Sequence, residues 1–252
     1  MRTKTLLIAA AALAVGIISS EAQVYSQNIV GYANVPTTSA NTYYLLECPF
    51  TVGASNGVNE VFGATLPDWS QILTWDVPNH TYVVAEYDST EPVPGVRWYE
   101  IDDGTPLATL PTIPPGIGFF VLPASGNLTN TFAGAVAVVT GGTNTMPLAS
   151  ANTYYLVGST IPFTGLVTNV VTGTSVGINL NNLPNWSQVL TWDVDSHSYV
   201  VSEYDATQPV DGENWYEIDD GTPKACPSVT VGQGFFILPA DIYSWIQALP
   251  SN

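Results

Sequence analysis

Along most of the chain the apolar residues fall in short runs rich in Val, Ile, Tyr, Trp, Phe and Thr, broken repeatedly by Gly, Pro, Asn and Asp. Runs of that length and composition predict strands rather than helices. In the first half they place strands near residues 28–35, 42–47, 71–77, 80–88, 97–102, 117–122 and 128–138. Short strands with frequent turns indicate an antiparallel β-sandwich or small barrel. The clearest hairpin is Leu73-Thr74-Trp75-Asp76-Val77, turning at Pro78-Asn79 into His80-Thr81-Tyr82-Val83-Val84. A two-residue loop sets Trp75 opposite Tyr82 and Leu73 opposite Val84. Paired residues share a face and side chains alternate along a strand. Trp75, Tyr82, Leu73 and Val84 therefore form a core face, and Thr74, Asp76, Thr81 and Ala85 fall on the wetter one.

The same pattern then recurs. Residues 69–88 and 186–205 are identical at fifteen of 20 positions, at a constant offset of 117. The segment Trp98 to Pro106 recurs as Trp215 to Pro223 at the same offset, Gly116 to Ala124 as Gly232 to Ala240 at 116, and Ser39 to Leu45 as Ser150 to Leu156 at 111. Self-similarity over this length predicts two tandem homologous domains. Phe132 to Val139 looks like Ile29 to Val35, which puts repeat 1 at residues 23–130 and repeat 2 at 131–252, joined near Thr140 to Thr145. The second copy carries extra residues around Val170 to Asn182. Its tail, residues 241–252, is expected to form a strand or a short amphipathic helix.

The N-terminus changes the compartment. Arg2 and Lys4 precede an apolar run from Leu6 to Ile18, and Ser20-Glu21-Ala22 supplies small residues for cleavage. This is the layout of a secretory signal peptide over residues 1–22. The expected location is periplasmic, cell-surface or extracellular, and no later stretch is long and apolar enough to span a membrane. The chain carries −17; losing two basic residues and one acidic residue with the signal takes it to −18. Such a surface disfavours nucleic acid and anionic membranes. It does not imply disorder, because apolar residues make up 46% of the chain, enough for a core. In an exported chain Cys48 and Cys226 are able to form a disulfide, although two free buried thiols fit as well.

The recurring acids Asp76, Glu86, Asp88, Glu100, Asp102 and Asp103 return as Asp193, Glu203, Asp205, Glu217, Asp219 and Asp220. Paired carboxylates serve glycosidases, but acids kept in both copies fit structure or repeated binding better than one active site. Alternation along a strand puts Glu100 with Asp102, and Glu217 with Asp219, on one face, where oxygen ligands for Ca²⁺ could gather. Asp-Gly in the same segment reads as a turn. His80 and His197 stand one per copy, a poor transition-metal signal. No catalytic residue is assigned, because no nucleophile elbow or triad signature is present.

The aromatics are the better ligand candidates. Trp69 and Trp186 follow Leu-Pro-Asp and Leu-Pro-Asn in loops; Trp98-Tyr99 and Trp215-Tyr216 open strands after Pro/Gly-rich loops. Exposed rings there would stack on the apolar faces of sugars.

The mature start VYSQNIVGYANV, the block Leu-Pro-x-Trp-Ser-Gln-Ile/Val-Leu-Thr-Trp-Asp and the Gly-x-Gly-Phe-Phe strand together resemble a group of exported β-rich repeat proteins of Verrucomicrobia- and Planctomycetes-type bacteria. The resemblance covers nearly the whole mature chain. It implies export and a β-rich repeat, and it transfers no functional residue. The expectation is thus a non-enzymatic exported surface, matrix or adhesion-type protein that meets an extracellular glycan or other envelope proteins. The alternatives are a carbohydrate-binding protein with one site per repeat and a secreted polysaccharide hydrolase.

Overall fold

The computed structural model describes residues 30–90, 97–101, 104–136, 142–169, 177–207 and 214–248. The expected signal peptide, Asp102, Asp103 and the linker residues Thr140 and Gly141 lie outside them. The described residues form an all-β fold of antiparallel sheets with no closed barrel, so the small-barrel alternative drops out.

In the first half, β1 (Val30–Thr37), β2 (Tyr44–Glu47), β3 (Phe50–Thr51), α1 (Val58–Phe62), β4 (Ser70–Asp76), β5 (Thr81–Tyr87), β6 (Trp98–Tyr99), β7 (Gly118–Leu122) and β8 (Leu128–Val136) follow in order. They build a five-stranded sheet, β2-β7-β4-β5-β6, and a three-stranded sheet, β1-β8-β3. The second half runs through β9 (Thr143–Leu148), β10 (Tyr155–Val157), β11 (Gly165–Leu166), β12 (Ser187–Asp193), β13 (Ser198–Tyr204), β14 (Trp215–Tyr216), β15 (Ser228–Val229), β16 (Phe235–Leu238) and β17 (Tyr243–Ala248). Its five-stranded sheet, β10-β16-β12-β13-β14, has the order of the first one, and β9-β17 and β11-β15 form two small sheets.

The border between residues 130 and 131 falls inside β8, whose partners are β1 and β3. Within the tail Tyr243–Ala248 forms a strand: β17 pairs with β9 as β8 pairs with β1.

The hairpin has the expected register, with Trp75 opposite Tyr82 and Leu73 opposite Val84. The ladder closes one pair early, at Asp76 and Thr81, and residues 77–80 make the turn. His80 and His197 hold its left-handed position, with φ 50° and 53°.

The alternation of β4, β5 and β7 serves two cores rather than one core and water. Ile72, Ala85, Tyr87, Phe119 and Val121 face Ala33, Phe50 and Phe132 in the first core. Ala85 was expected on the wetter face and is instead fully buried. The opposite face sends Leu45, Leu73 and Phe120 against Leu156, Leu190 and Phe236 of the other half. A further core in the second half gathers Leu148, Val189, Phe235, Ile237 and Trp245. Burying a side chain of this size stabilises by roughly 1.5–3 kcal/mol, so the contact between the halves is a core in its own right.

Reciprocal polar contacts register that contact. Trp75 Nε1 donates to the Tyr154 carbonyl at 2.8 Å, and Trp192 Nε1 to the Tyr43 carbonyl at 2.8 Å. Backbone crosses at the corners, where Gly234 N donates to Leu45 O at 3.2 Å and Gly158 N to Gly116 O at 3.0 Å. Only glycine fits there. A Cβ on Gly118 would lie 2.7 Å from Val157 O, and one on Gly234 would lie 2.6 Å from Leu46 O. Gly118→Ala and Gly234→Ala should each destabilise the protein by about 1–3 kcal/mol, the usual range for overpacking. Urea denaturation reads this; unchanged midpoints would mean that the halves separate freely.

Candidate functional site

The structure divides the predicted ring platforms into two groups. Trp98 and Trp215 are each 2% exposed, and Tyr99 and Tyr216 are buried beside them. Trp98 packs edge-on to Tyr87 at 5.4 Å between centroids, and Trp215 to Tyr204 at 5.3 Å. These four residues are core, which corrects the expectation that they would face a ligand. A strand residue next to a Pro/Gly-rich loop can turn either way, and the burial of the β6 and β14 rings decided it.

Trp69 and Trp186 are the other group, at 59% and 56% exposed. Their surroundings are locked. Ser70 N donates to Pro67 O at 3.2 Å, and Ser187 N to Pro184 O at 3.1 Å, closing a four-residue turn in each half. Each Trp occupies the third position of its turn with φ 72° or 71°. Turns of this geometry want Gly or Asn there; a bulky residue costs of order 1–3 kcal/mol. The neighbours on both sides are pinned. Ser70 and Ser187, fully buried, accept from Ala124 N and Ala240 N at 3.0 Å. Asp68 Oδ1 accepts from Ser89 N at 2.6 Å, and Asn185 Oδ1 from Ala206 N at 2.9 Å. The Ser89 amide holds the Asp68 carboxyl below its ordinary range. The result is a strained, rigid turn that lifts one indole off the surface in each half. Around Trp186 a hollow of about 50 Å³ is lined by Glu203, Asp205, Tyr216 and Gly221.

The recurring acids are mostly engaged in turns. Asp88 Oδ1 accepts from Thr90 N and Oγ1 at 2.7 and 2.6 Å, and Asp205 Oδ1 from Thr207 N and Oγ1 at 2.8 and 2.6 Å. β6 and β14 stop after two residues because Gly104 N bonds Glu100 O and Gly221 N bonds Glu217 O. Glu217 and Asp219 thus sit in a turn rather than on one strand face, which corrects that expectation. Glu217 pairs with Lys224 at 3.1 Å. Glu100 is exposed in the equivalent turn, and Asp102, its expected partner, lies outside the described residues.

Cys48 and Cys226 are free thiols in separate cores, so the disulfide is not formed. Burial pushes the Cys48 thiol up to about 12, and its Sγ donates to Phe50 O at 3.5 Å. Ser159, its counterpart by the sequence offset, donates from Oγ to Ile161 O at 2.5 Å.

Two features were not legible in advance. The first is a pair of aromatic hollows between the five-stranded sheets, of about 310 and 350 Å³. The second is Glu47, fully buried where the halves meet, both carboxyl oxygens without a hydrogen-bond partner. Burial holds its pKa well above 4.5.

Compared with protein-family models, curated proteins and solved structures, the chain matches none.

Glu47 generates a pH prediction. The folded chain keeps its proton to higher pH than the unfolded chain, so its contribution is complete below about pH 4.5 and declines as pH rises towards the folded pKa. The stability of Glu47→Gln relative to the parent should therefore rise with pH above 4.5. Denaturant midpoints between pH 4 and 8 read the difference; parallel curves would show that Glu47 is ionised in the fold.

Proposed function

We propose that this is an exported, non-enzymatic protein that acts through its surface, and that Trp69 and Trp186 are its contacts with a neutral extracellular polysaccharide. One observation carries this reading: two indoles, each more than half exposed, are fixed at matching turns in a backbone conformation that suits glycine. Strain held in place by surrounding bonds gathers at working sites. A structural role would not ask for a large apolar ring turned to solvent at both positions.

The chemistry suits sugar rings. An indole face covers the C–H face of a pyranose, and Glu203 beside Trp186 supplies acceptors for hydroxyls. The charge of −17 suits a neutral ligand over an anionic one. Two contacts on one chain also give avidity on a repeating polymer. The acids offered for hydrolysis support catalysis less well, since Asp88 and Asp205 are held by Thr90 and Thr207 within turns.

Depletion binding of residues 23–252 to a panel of insoluble neutral polysaccharides tests this. Binding to at least one is expected, with Trp69→Ala and Trp186→Ala each weakening it and the double variant weakening it at least ten-fold, about 1.4 kcal/mol. Both side chains are exposed, so the variants should melt near the parent temperature. Equal binding by the parent and the double variant would remove the proposal.

A further inference from the structure

The two hollows between the sheets form a matched pair. The first is walled by Tyr43, Leu73, Tyr82, Phe120, Trp192 and Tyr199. The second is walled by Trp75, Tyr82, Tyr154, Leu190, Tyr199 and Phe236. Each takes its Trp from the opposite half. Tyr82 and Tyr199 belong to both, and their hydroxyls meet at 3.2 Å as a shared partition.

The rings stand as the walls of a box. In the first hollow Phe120 lies edge-on to Tyr43 at 82°, Tyr82 at 77° and Trp192 at 86°. In the second, Phe236 meets Tyr154 at 87°, Tyr199 at 83° and Trp75 at 86°. The faces of these rings carry negative quadrupole density, which attracts a cation placed among them. Among the described residues, no charged side chain lines either hollow. The space is open on one side, since Tyr43 and Tyr154 are 39% and 40% exposed.

We propose that each hollow is an aromatic cage for the quaternary ammonium group of a small organic cation. Three observations converge on that occupant. Perpendicular aromatic walls recognise a trimethylammonium group by cation–π attraction without hydrogen bonds. A cation of that kind is weakly hydrated, so a hollow without carboxylates still accepts it. The strongly negative chain raises the local concentration of cations and repels anions. The volumes, about 310 and 350 Å³, are those of small-molecule sites. The inference is independent of the Trp69 and Trp186 reading, whose residues line neither hollow.

The probes are choline chloride and its neutral carbon isostere, 3,3-dimethylbutan-1-ol, titrated into residues 23–252 by calorimetry at constant ionic strength. Choline should bind at two sites per chain and at least ten-fold more tightly than the isostere. Tyr43→Ala should weaken one site about ten-fold and Tyr154→Ala the other, whereas Trp69→Ala with Trp186→Ala leaves both intact. No choline binding up to 50 mM, or equal binding of choline and the isostere, would overturn the proposal, and these two readouts need no variant to fold. Unchanged choline binding in a folded Tyr43→Ala, Tyr154→Ala double variant would overturn it too. Co-sedimentation with phosphatidylcholine vesicles separates the two sources of the group: protein left in the supernatant assigns the cages to a soluble cation, protein carried down assigns them to a lipid headgroup.

Discussion

The architecture depends on the contact between the inner faces of the two five-stranded sheets. Leu45, Leu73 and Phe120 on one side meet Leu156, Leu190 and Phe236 on the other. The central part of each of these sheets is thereby covered on both faces, while the hairpin ends leave Thr81 and Val83 in one and Tyr199 and Val200 in the other exposed. This explains why β4 and β12 carry apolar residues at consecutive positions, Ile72-Leu73 and Val189-Leu190. A sheet wetted on one face shows strict alternation; a sheet buried on both has no reason to. The Trp75 and Trp192 indole bonds fix the stacking angle, since each reaches one carbonyl of the opposing chain segment.

The strands and their register were readable because they follow from local rules. Turn residues bound each run, and period-two alternation together with the short turn set Trp75 against Tyr82. What sequence could not supply was the choice of face. Alternation says that Ala85 and Val84 point opposite ways, but not that both directions are dry. The same gap misplaced Trp98 and Trp215. A Trp at a strand start looks alike whether it meets solvent or packs edge-on to Tyr87 or Tyr204. Glu217 and Asp219 failed for a different reason. A strand was carried past Tyr216 into a segment whose Asp-Gly already pointed to a turn, and the bond from Gly221 N to Glu217 O confirms that local signal.

Trp69 and Trp186 were visible as candidates from their loop positions, although the reason they stand out is conformational. A glycine-type turn filled by tryptophan conflicts with local preference, and such conflicts between local and global choice tend to mark function. The aromatic hollows were hidden for the opposite reason. Each of their residues is ordinary in its own strand, and the hollow exists only where side chains from segments far apart in sequence converge.

Glu47 and Gly158 show how the halves tell each other apart. They occupy corresponding positions by the 111-residue offset, and a Cβ on Gly158 would lie 2.4 Å from that of Glu47. A long side chain on one surface fits because its counterpart has none. Were two first halves to stack on each other, two carboxyl groups would compete for the same dry space; were two second halves to do so, a void would replace them. The asymmetry of this single pair makes the joint heterotypic, so that each half fits the unlike half and not a second copy of itself.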